Sequence, residues 1–216
     1  MRQRHLQYGN VTLSGRANIN GDININGMFR KRTINQQQPS GGRVKRSRWT
    51  EERLSVFMDN TNIQAGTQHP LDYSRLALLV KDGRSFDVMV VVGSHPDPRP
   101  VNNWEQAATA AGWATRGLER VHGKEQAVDE VLHAMIFDAL DRPTHHSKRL
   151  VLLTGDGNGN GDASNSSFLK CVQSALRREI PVEVWAWSAS CSHKYAELAV
   201  SHSNLFTLRF LDGQGF

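Results

Sequence analysis

Cysteine is scarce in this chain: Cys171 and Cys191 are the only two in 216 residues. That excludes a disulfide-stapled scaffold and a zinc site built on thiolates. Long apolar runs are missing as well. No stretch approaches the eighteen or so consecutive apolar residues of a membrane-spanning helix, so no membrane partner is expected. The N-terminus carries Arg2 and Arg4, but Gln7, Tyr8 and Asn10 stand where a secretory signal needs an apolar core. These shortages together point to a reducing intracellular setting, cytoplasmic or nuclear. In that setting the glycosylation triplets Asn10-Val-Thr12 and Asn165-Ser-Ser167 carry no weight.

Charge is present but unevenly placed. Residues 1–53 hold eleven Lys and Arg against three Asp and Glu, and the remainder holds fifteen against eighteen. The overall +5 is therefore a tail of +8 joined to a body of −3. A basic arm of that kind meets polyanions such as RNA and offers a contact to protein partners, or is simply a solvated tail. Within it, Ala17-Asn-Ile-Asn-Gly-Asp-Ile-Asn-Ile-Asn-Gly27 is an imperfect repeat, and two isolated strands around its Asn-Gly turn are marginal in water. Gln, Pro, Gly and basic residues follow from Arg30 to Trp49. There Arg43-Val-Lys-Arg-Ser-Arg48 reads as a nuclear-localisation or nucleic-acid patch, or as a solvated charge run. Residues 1–53 are thus expected to be a disordered basic tail and linker, and 54–216 the folded domain.

From Leu54 onward, short apolar runs alternate with helical patterns. Leu54–Met58, Phe86–Val92, Trp113–Val121, Leu150–Thr154, Val182–Ala186 and Leu205–Leu211 are expected strands. Helices are expected over 73–80, 102–111, 126–140, 165–178 and 194–200. Gln126–Leu140 is the clearest, with Val128, Val131, Leu132, Met135, Ile136 and Leu140 at helical spacing. Nearly unbroken apolar strands alternating with helices give an α/β, doubly wound, mostly parallel sheet covered on both faces.

In such a sheet, ligands gather past the carboxyl ends of the strands where the strand order reverses. Asp59 closes the first expected strand, and Asp156 stands just past Leu150–Thr154, in the loop Gly155-Asp-Gly-Asn-Gly-Asn-Gly-Asp162. Asp129 follows core-type Val128 on the clearest helix. Three converging carboxylates repel one another unless a cation lies between them, and an all-oxygen set suits Mg²⁺ or Mn²⁺. Other readings of the loop fail on spacing. Counted from Gly155, the sixth residue is Asn160 where a dinucleotide fingerprint needs Gly. A calcium loop from Asp156 needs Glu where Ser167 stands, and a helix before it where a strand is expected. No Gly-x-Ser-x-Gly elbow occurs, and Thr61 replaces the second Asp of a haloacid-type phosphatase motif.

The flanking residues carry a resemblance. Asp59-Asn-Thr-Asn62, Lys124-Glu-Gln-Ala-Val-Asp-Glu-Val-Leu-His133, Thr154-Gly-Asp-Gly-Asn-Gly-Asn160 with Ser167-Phe168, and Val182-Glu-Val-Trp-Ala-Trp-Ser188 with Ser190-Cys-Ser192 occur in that order over roughly residues 54–212. This series resembles the NYN branch of the PIN-like ribonuclease superfamily. The resemblance implies a flavodoxin-like three-layer sandwich and a Mg²⁺- or Mn²⁺-dependent ribonuclease cutting RNA internally. It implies Asp59, Asp129 and Asp156 as the catalytic acids, holding metal together with Asp162. It also implies Asn62, Ser94, Lys124, His133 and Asn158 as substrate contacts.

One position departs from the pattern: Asn158 stands where many relatives carry a further acid, and Asp162 is the substitute within the loop. The competing reading is therefore an RNA-binding module of the same fold with weak or no catalysis. A phosphatase or nucleotide-binding domain follows from fold analogy alone. His133, one turn from Asp129, is either a hydrogen-bond partner to that acid, a phosphate contact, or a core histidine. Arg75, Lys81, Arg84, Arg99, Arg116, Arg120, Lys124 and Lys194 are the basic residues available to an RNA path. Trp185 and Trp187 alternate at a strand end, so one is expected in the core and the other within reach of the crevice.

Overall fold

Six strands lie side by side, every neighbouring pair parallel, in the order β3-β2-β1-β4-β5-β6. They are β1 Glu52–Asp59, β2 Ser85–His95, β3 Ala114–Glu119, β4 Ser147–Leu153, β5 Val182–Ala186 and β6 Phe206–Phe210. The computed structural model describes residues 51–95, 104–120, 127–155 and 168–215, all within one compact unit, Ser47–Phe216. The expected tail, residues 1–53, lies outside the described residues apart from its last three. Six α-helices among the described residues connect the strands: α1 Asn60–Ala65, α2 Tyr73–Lys81, α3 Trp104–Ala110, α4 Val128–Asp141, α5 Phe168–Arg177 and α6 His193–Ser201. Among the described residues, no helix is long and apolar enough to cross a membrane.

Side-chain alternation along each strand divides the core into two layers. Leu54, Val56 and Met58 of β1, with Val151 and Leu153 of β4, meet Ile63 of α1, Leu76 and Val80 of α2 and Ala108 of α3. Phe57, with Leu150 and Leu152, meets Leu132 and Ile136 of α4, Val172 of α5 and Tyr195 of α6. Both sheet faces are therefore covered, which is why the strands read as nearly unbroken apolar runs. Asp87, the charged residue inside the β2 run, is accommodated by a register shift: Leu54 pairs with Phe86 but Ser55 with Val88. The skipped Asp87 is exposed and lies 3.8 Å from His146.

The strand order positions the site. From β1 the chain moves outward through β2 and β3, then crosses by way of α4 to β4 on the other side of β1. Helices α1 to α3 cover one face and α4 to α6 the other. The reversal lies between β1 and β4, the place where doubly wound sheets of this order open a crevice beyond their carboxyl ends. The sheet is doubly wound as expected, but its order 3-2-1-4-5-6 differs from the flavodoxin-like 2-1-3-4-5.

Three boundaries differ from the sequence reading for local reasons. Asp59-Asn-Thr-Asn62 is not loop: Asp59 is the N-cap of the short helix α1. Helix α4 begins at Val128 instead of Gln126, because Ala127 adopts a left-handed backbone, φ 61°. Trp113 precedes β3, buried, with its indole N–H donated to the Tyr73 carbonyl at 3.1 Å.

Candidate functional site

At the β1/β4 border, Met58 pairs with Leu153, so Asp59 and Thr154 are the next residues along the two strands. Asp59 is 7% exposed, and its Oδ1 accepts the Asn62 amide at 3.0 Å. Asn62 then reaches across the border, its Oδ1 accepting the Gly155 amide at 2.8 Å. One residue thus ties the Asp59 turn to the chain leaving β4. On the far side, the Gly155 carbonyl accepts the Ser192 amide at 3.0 Å, and buried Thr154 donates its amide to the Trp185 carbonyl at 3.0 Å. A Cβ at position 155 would lie 2.8 Å from Ser190 Oγ, 2.9 Å from the Ser190 carbonyl oxygen and 3.2 Å from Asn62 Oδ1. Only glycine fits between these walls, so the exit path from β4 is fixed immediately before Asp156.

Asp156, Asn158 and Asp162, expected in the loop after Gly155, and Lys124, expected before α4, all lie outside the described residues, as does Arg99. Asp129 is described: it sits half-buried in the first turn of α4, a helix that packs on β1 and β2. The described residues thus supply two of the three expected carboxylates, Asp59 and Asp129. Among those residues no three His, Cys, Asp or Glu side chains are grouped as a metal site.

Ser94, near the end of β2, is buried and bridges outward from the same turn. Its amide donates to Thr61 Oγ1 at 3.4 Å, and its Oγ accepts Arg120 Nε at 3.0 Å. Thr61, Ser190 and Ser192 lie within the motifs quoted from the sequence but carry no assigned role there; their places, shortly after the ends of β1 and β5, bring them to this edge.

His133 is where the structure corrects an expectation. It is buried, meets the Phe168 ring edge-on at 4.8 Å, and neither ring nitrogen has a hydrogen-bond partner among the described residues. It belongs to the helix face on the core and does not brace Asp129. Burial holds the imidazole below its ordinary pKa, with the Glu130 charge opposing. The fold therefore favours the neutral ring. The unfolded chain takes up the proton first, so this stability is complete above about pH 6.5 and is lost as the pH falls below it. Replacing His133→Leu is expected to reduce the drop in melting temperature between neutral and mildly acidic pH. Parallel melting-temperature profiles for the two proteins would refute that assignment.

Several other expected residues serve structure. Arg84 lies at the opposite end of the sheet, donating to Glu183 Oε2 at 3.1 Å, so it does not line an RNA path at the crevice. Arg75 donates to the Gly215 carbonyl at 2.7 Å, and Lys81 lies 6.0 Å from the Phe86 ring centroid. Arg116 and Arg120 are on the β3 side of the carboxyl edge, and Lys194 opens α6 after β5. Trp185 is buried in the core. Trp187 is half-buried over Gly66 and donates to the Ile63 carbonyl at 2.8 Å, packing on α1.

A buried pair absent from the sequence reading lies beyond β2. His95, 3% exposed, places Nε2 at 2.8 Å from Glu105 Oε2 and stacks on Trp104 at 5.4 Å. Gly117 makes room: its Cβ would come within 2.1 Å of His95 Nε2. The pair fastens α3 to β2 and β3.

No protein-family model matches the chain, nor does any curated protein. Among solved structures, a protein of unknown function from Vibrio parahaemolyticus superposes with a TM-score of 0.53 at 15% identity, over 78% of this chain and 97% of that one. At that identity the likeness is one of fold alone.

Proposed function

We propose that this chain is a divalent-metal-dependent ribonuclease of the NYN, PIN-like kind, hydrolysing RNA phosphodiester bonds internally. The observation that carries the reading is the Asn62 bridge, which joins the turn holding Asp59 to the residue preceding Asp156 at the reversal point of the sheet. A strand-end Asp followed three residues later by Asn, with Thr-Gly-Asp at the neighbouring strand end, is the pattern that carried the resemblance in sequence. The bridge gives that spacing a physical purpose.

Asp59, Asp129 and Asp156 would hold Mg²⁺ or Mn²⁺, with Asp162 as a further donor. The ion supplies an activated water and neutralises charge on the phosphate. The chain's own part is positioning. Asn62 uses its backbone amide to orient Asp59 and its side chain to hold Gly155, so the two strand ends keep one spacing. Gly155 keeps the chain close against Ser190 and Asn62, and α4 presents Asp129 from its first turn. Preorganised charge of this kind favours the transition state because it need not rearrange during reaction. The basic tail, through RNA phosphates, would raise encounter rate without setting sequence preference. A second reading rests on Asn158 at the usual acidic position: the same surface binds RNA with weak or no cleavage.

The test is labelled single-stranded RNA incubated with the purified protein in Mn²⁺, in Mg²⁺ and in EDTA, beside Asp129→Asn and Asp156→Asn. Internal cleavage is expected with metal, none in EDTA, and a rate about 100-fold lower in each variant. Equal cleavage by all three proteins would overturn the nuclease reading. Salt-sensitive binding without cleavage by wild type selects the binding module.

A further inference from the structure

We infer that Arg120 is an oriented anchor for a phosphoryl anion, seating an RNA phosphate on the β2–β3 side of the crevice. This rests on the RNA-directed reading above for the identity of its ligand.

Several arginines of this fold are neutralised by acids. Arg84 and Arg209 meet Glu183 at 3.1 and 3.3 Å, Arg149 meets Glu52 at 3.1 Å, and Arg178 meets Asp141 at 2.6 Å. Arg142 pairs with Asp138. Arg120 differs. Its Nε is fixed on Ser94 Oγ at 3.0 Å, yet it forms no ion pair with any carboxylate among the described residues. Among the described residues this half-exposed guanidinium is fixed with no carboxylate beside it, so side-chain entropy is lost there without a counter-charge gained. Exposed Arg177, by contrast, has no such side-chain bond among the described residues.

The fixing is directional. With Nε committed to Ser94, the remaining fork is the end-on pair of Nη groups, spaced to grip two oxygens of one phosphate. Ser94 is itself held, since it is buried and its amide donates to Thr61 Oγ1. Thr61 stands two residues after Asp59, so a chain of contacts runs from the Asp59 turn across the end of β2 to Arg120. The anchor is thereby coupled to the proposed acidic site through short, rigid connections. Acids at one strand end and a single oriented cation two strands away fit a ligand that meets both, a strand whose scissile phosphate lies at the acids and whose neighbouring phosphate lies at Arg120.

The test measures binding apart from cleavage. Wild type, Arg120→Ala, Arg120→Lys and Ser94→Ala are titrated with labelled single-stranded RNA in EDTA over a range of salt, and with inorganic tripolyphosphate. Thermal melts confirm that each variant is folded. Arg120→Ala is expected to weaken RNA binding about 10-fold and to lower the salt slope by about 0.7, the loss of one phosphate contact on a single strand. Arg120→Lys keeps the charge and therefore the slope, but loses the fork and with it several-fold in affinity. Ser94→Ala keeps the slope and weakens binding, a result that mere structural filling by Ser94 does not produce. If wild type cleaves RNA and Arg120→Ala matches it in KM and salt slope, the anchor is overturned while the nuclease reading stands. If nothing is cleaved but Arg120→Ala still lowers affinity and slope, the nuclease reading fails and the anchor stands. Tripolyphosphate binding that needs Arg120, with no RNA binding, assigns the site to a free phosphate and overturns the RNA assignment. Failure of wild type to bind either probe overturns the proposal.

Discussion

Asp59→Asn is expected to lower metal-dependent RNA cleavage by about 100-fold or more while leaving the melting temperature nearly unchanged. The two halves of that expectation come from two roles that one carboxylate holds at once. As the N-cap of α1, Asp59 accepts the Asn62 amide at 3.0 Å, and this bond sets up the reach of Asn62 to Gly155. Asparagine is as good an N-cap as aspartate, and its Oδ1 accepts the same amide. The turn, the bridge and the exit from β4 all survive the change, and only the negative charge is removed. Asp59→Ala removes both roles and costs about 1 kcal/mol of stability in addition. Cleavage rates in Mn²⁺ beside thermal melts for the two variants separate them. If Asp59→Asn cleaves at the wild-type rate, Asp59 is a cap and nothing more, and the proposed metal site loses the acid that ties it to the β1/β4 border.

The fold was legible because burial on both faces of the sheet leaves a simple mark. Leu150–Leu153 reads as an unbroken apolar run and Val182–Ala186 as one interrupted only by Glu183, and α4 shows its core face through Val128, Leu132, Ile136 and Leu140. What escaped was decided at distances in sequence that local pattern does not reach. Helix α1 was missed because Asp59-Asn-Thr-Asn62 is polar and short, and a capping aspartate and a ligand aspartate are the same residue in sequence. The His95–Glu105 pair depends on Gly117, which becomes a neighbour only through the register of Gly93 with Gly117 on β2 and β3. Arg84 looked like any basic residue until β5 brought Glu183 to it from 99 positions away. At the candidate site, what the sequence shows is that Asp59 closes a strand, and β1 does end at Asp59 beside the reversal point. His133 could be read three ways from spacing, and the Phe168 ring decided for the core.

Glu183→Ala is expected to cost about 3 to 4 kcal/mol, a larger loss than any surface ion pair in this fold would give. Glu183 is 1% exposed on the second residue of β5, where a lone carboxylate is costly. Its charge is matched by Arg84 at 3.1 Å and Arg209 at 3.3 Å, and its Oε1 accepts the Trp185 indole N–H at 2.6 Å. The network continues: Arg84 lies 3.9 Å from Glu52, which accepts both Nε and Nη2 of Arg149 at 3.1 Å. Two acids alternate with three arginines across β1, β4, β5 and β6. Removing Glu183 strands the buried Trp185 donor and leaves Arg84, with 19% side-chain exposure, facing no counter-charge but Glu52. Removing Arg209 instead should cost under about 1 kcal/mol, because its side chain is 44% exposed and water can replace what it gave. For a domain of this size the Glu183 loss corresponds to a fall in melting temperature of about 6 to 16 °C, well resolved by calorimetry or circular dichroism. Glu183→Gln, which keeps the shape but turns one acceptor into a donor facing donors, should fall between the two. A loss under about 1 kcal/mol for Glu183→Ala would show that the acid is dispensable and that the network merely tolerates its buried charge.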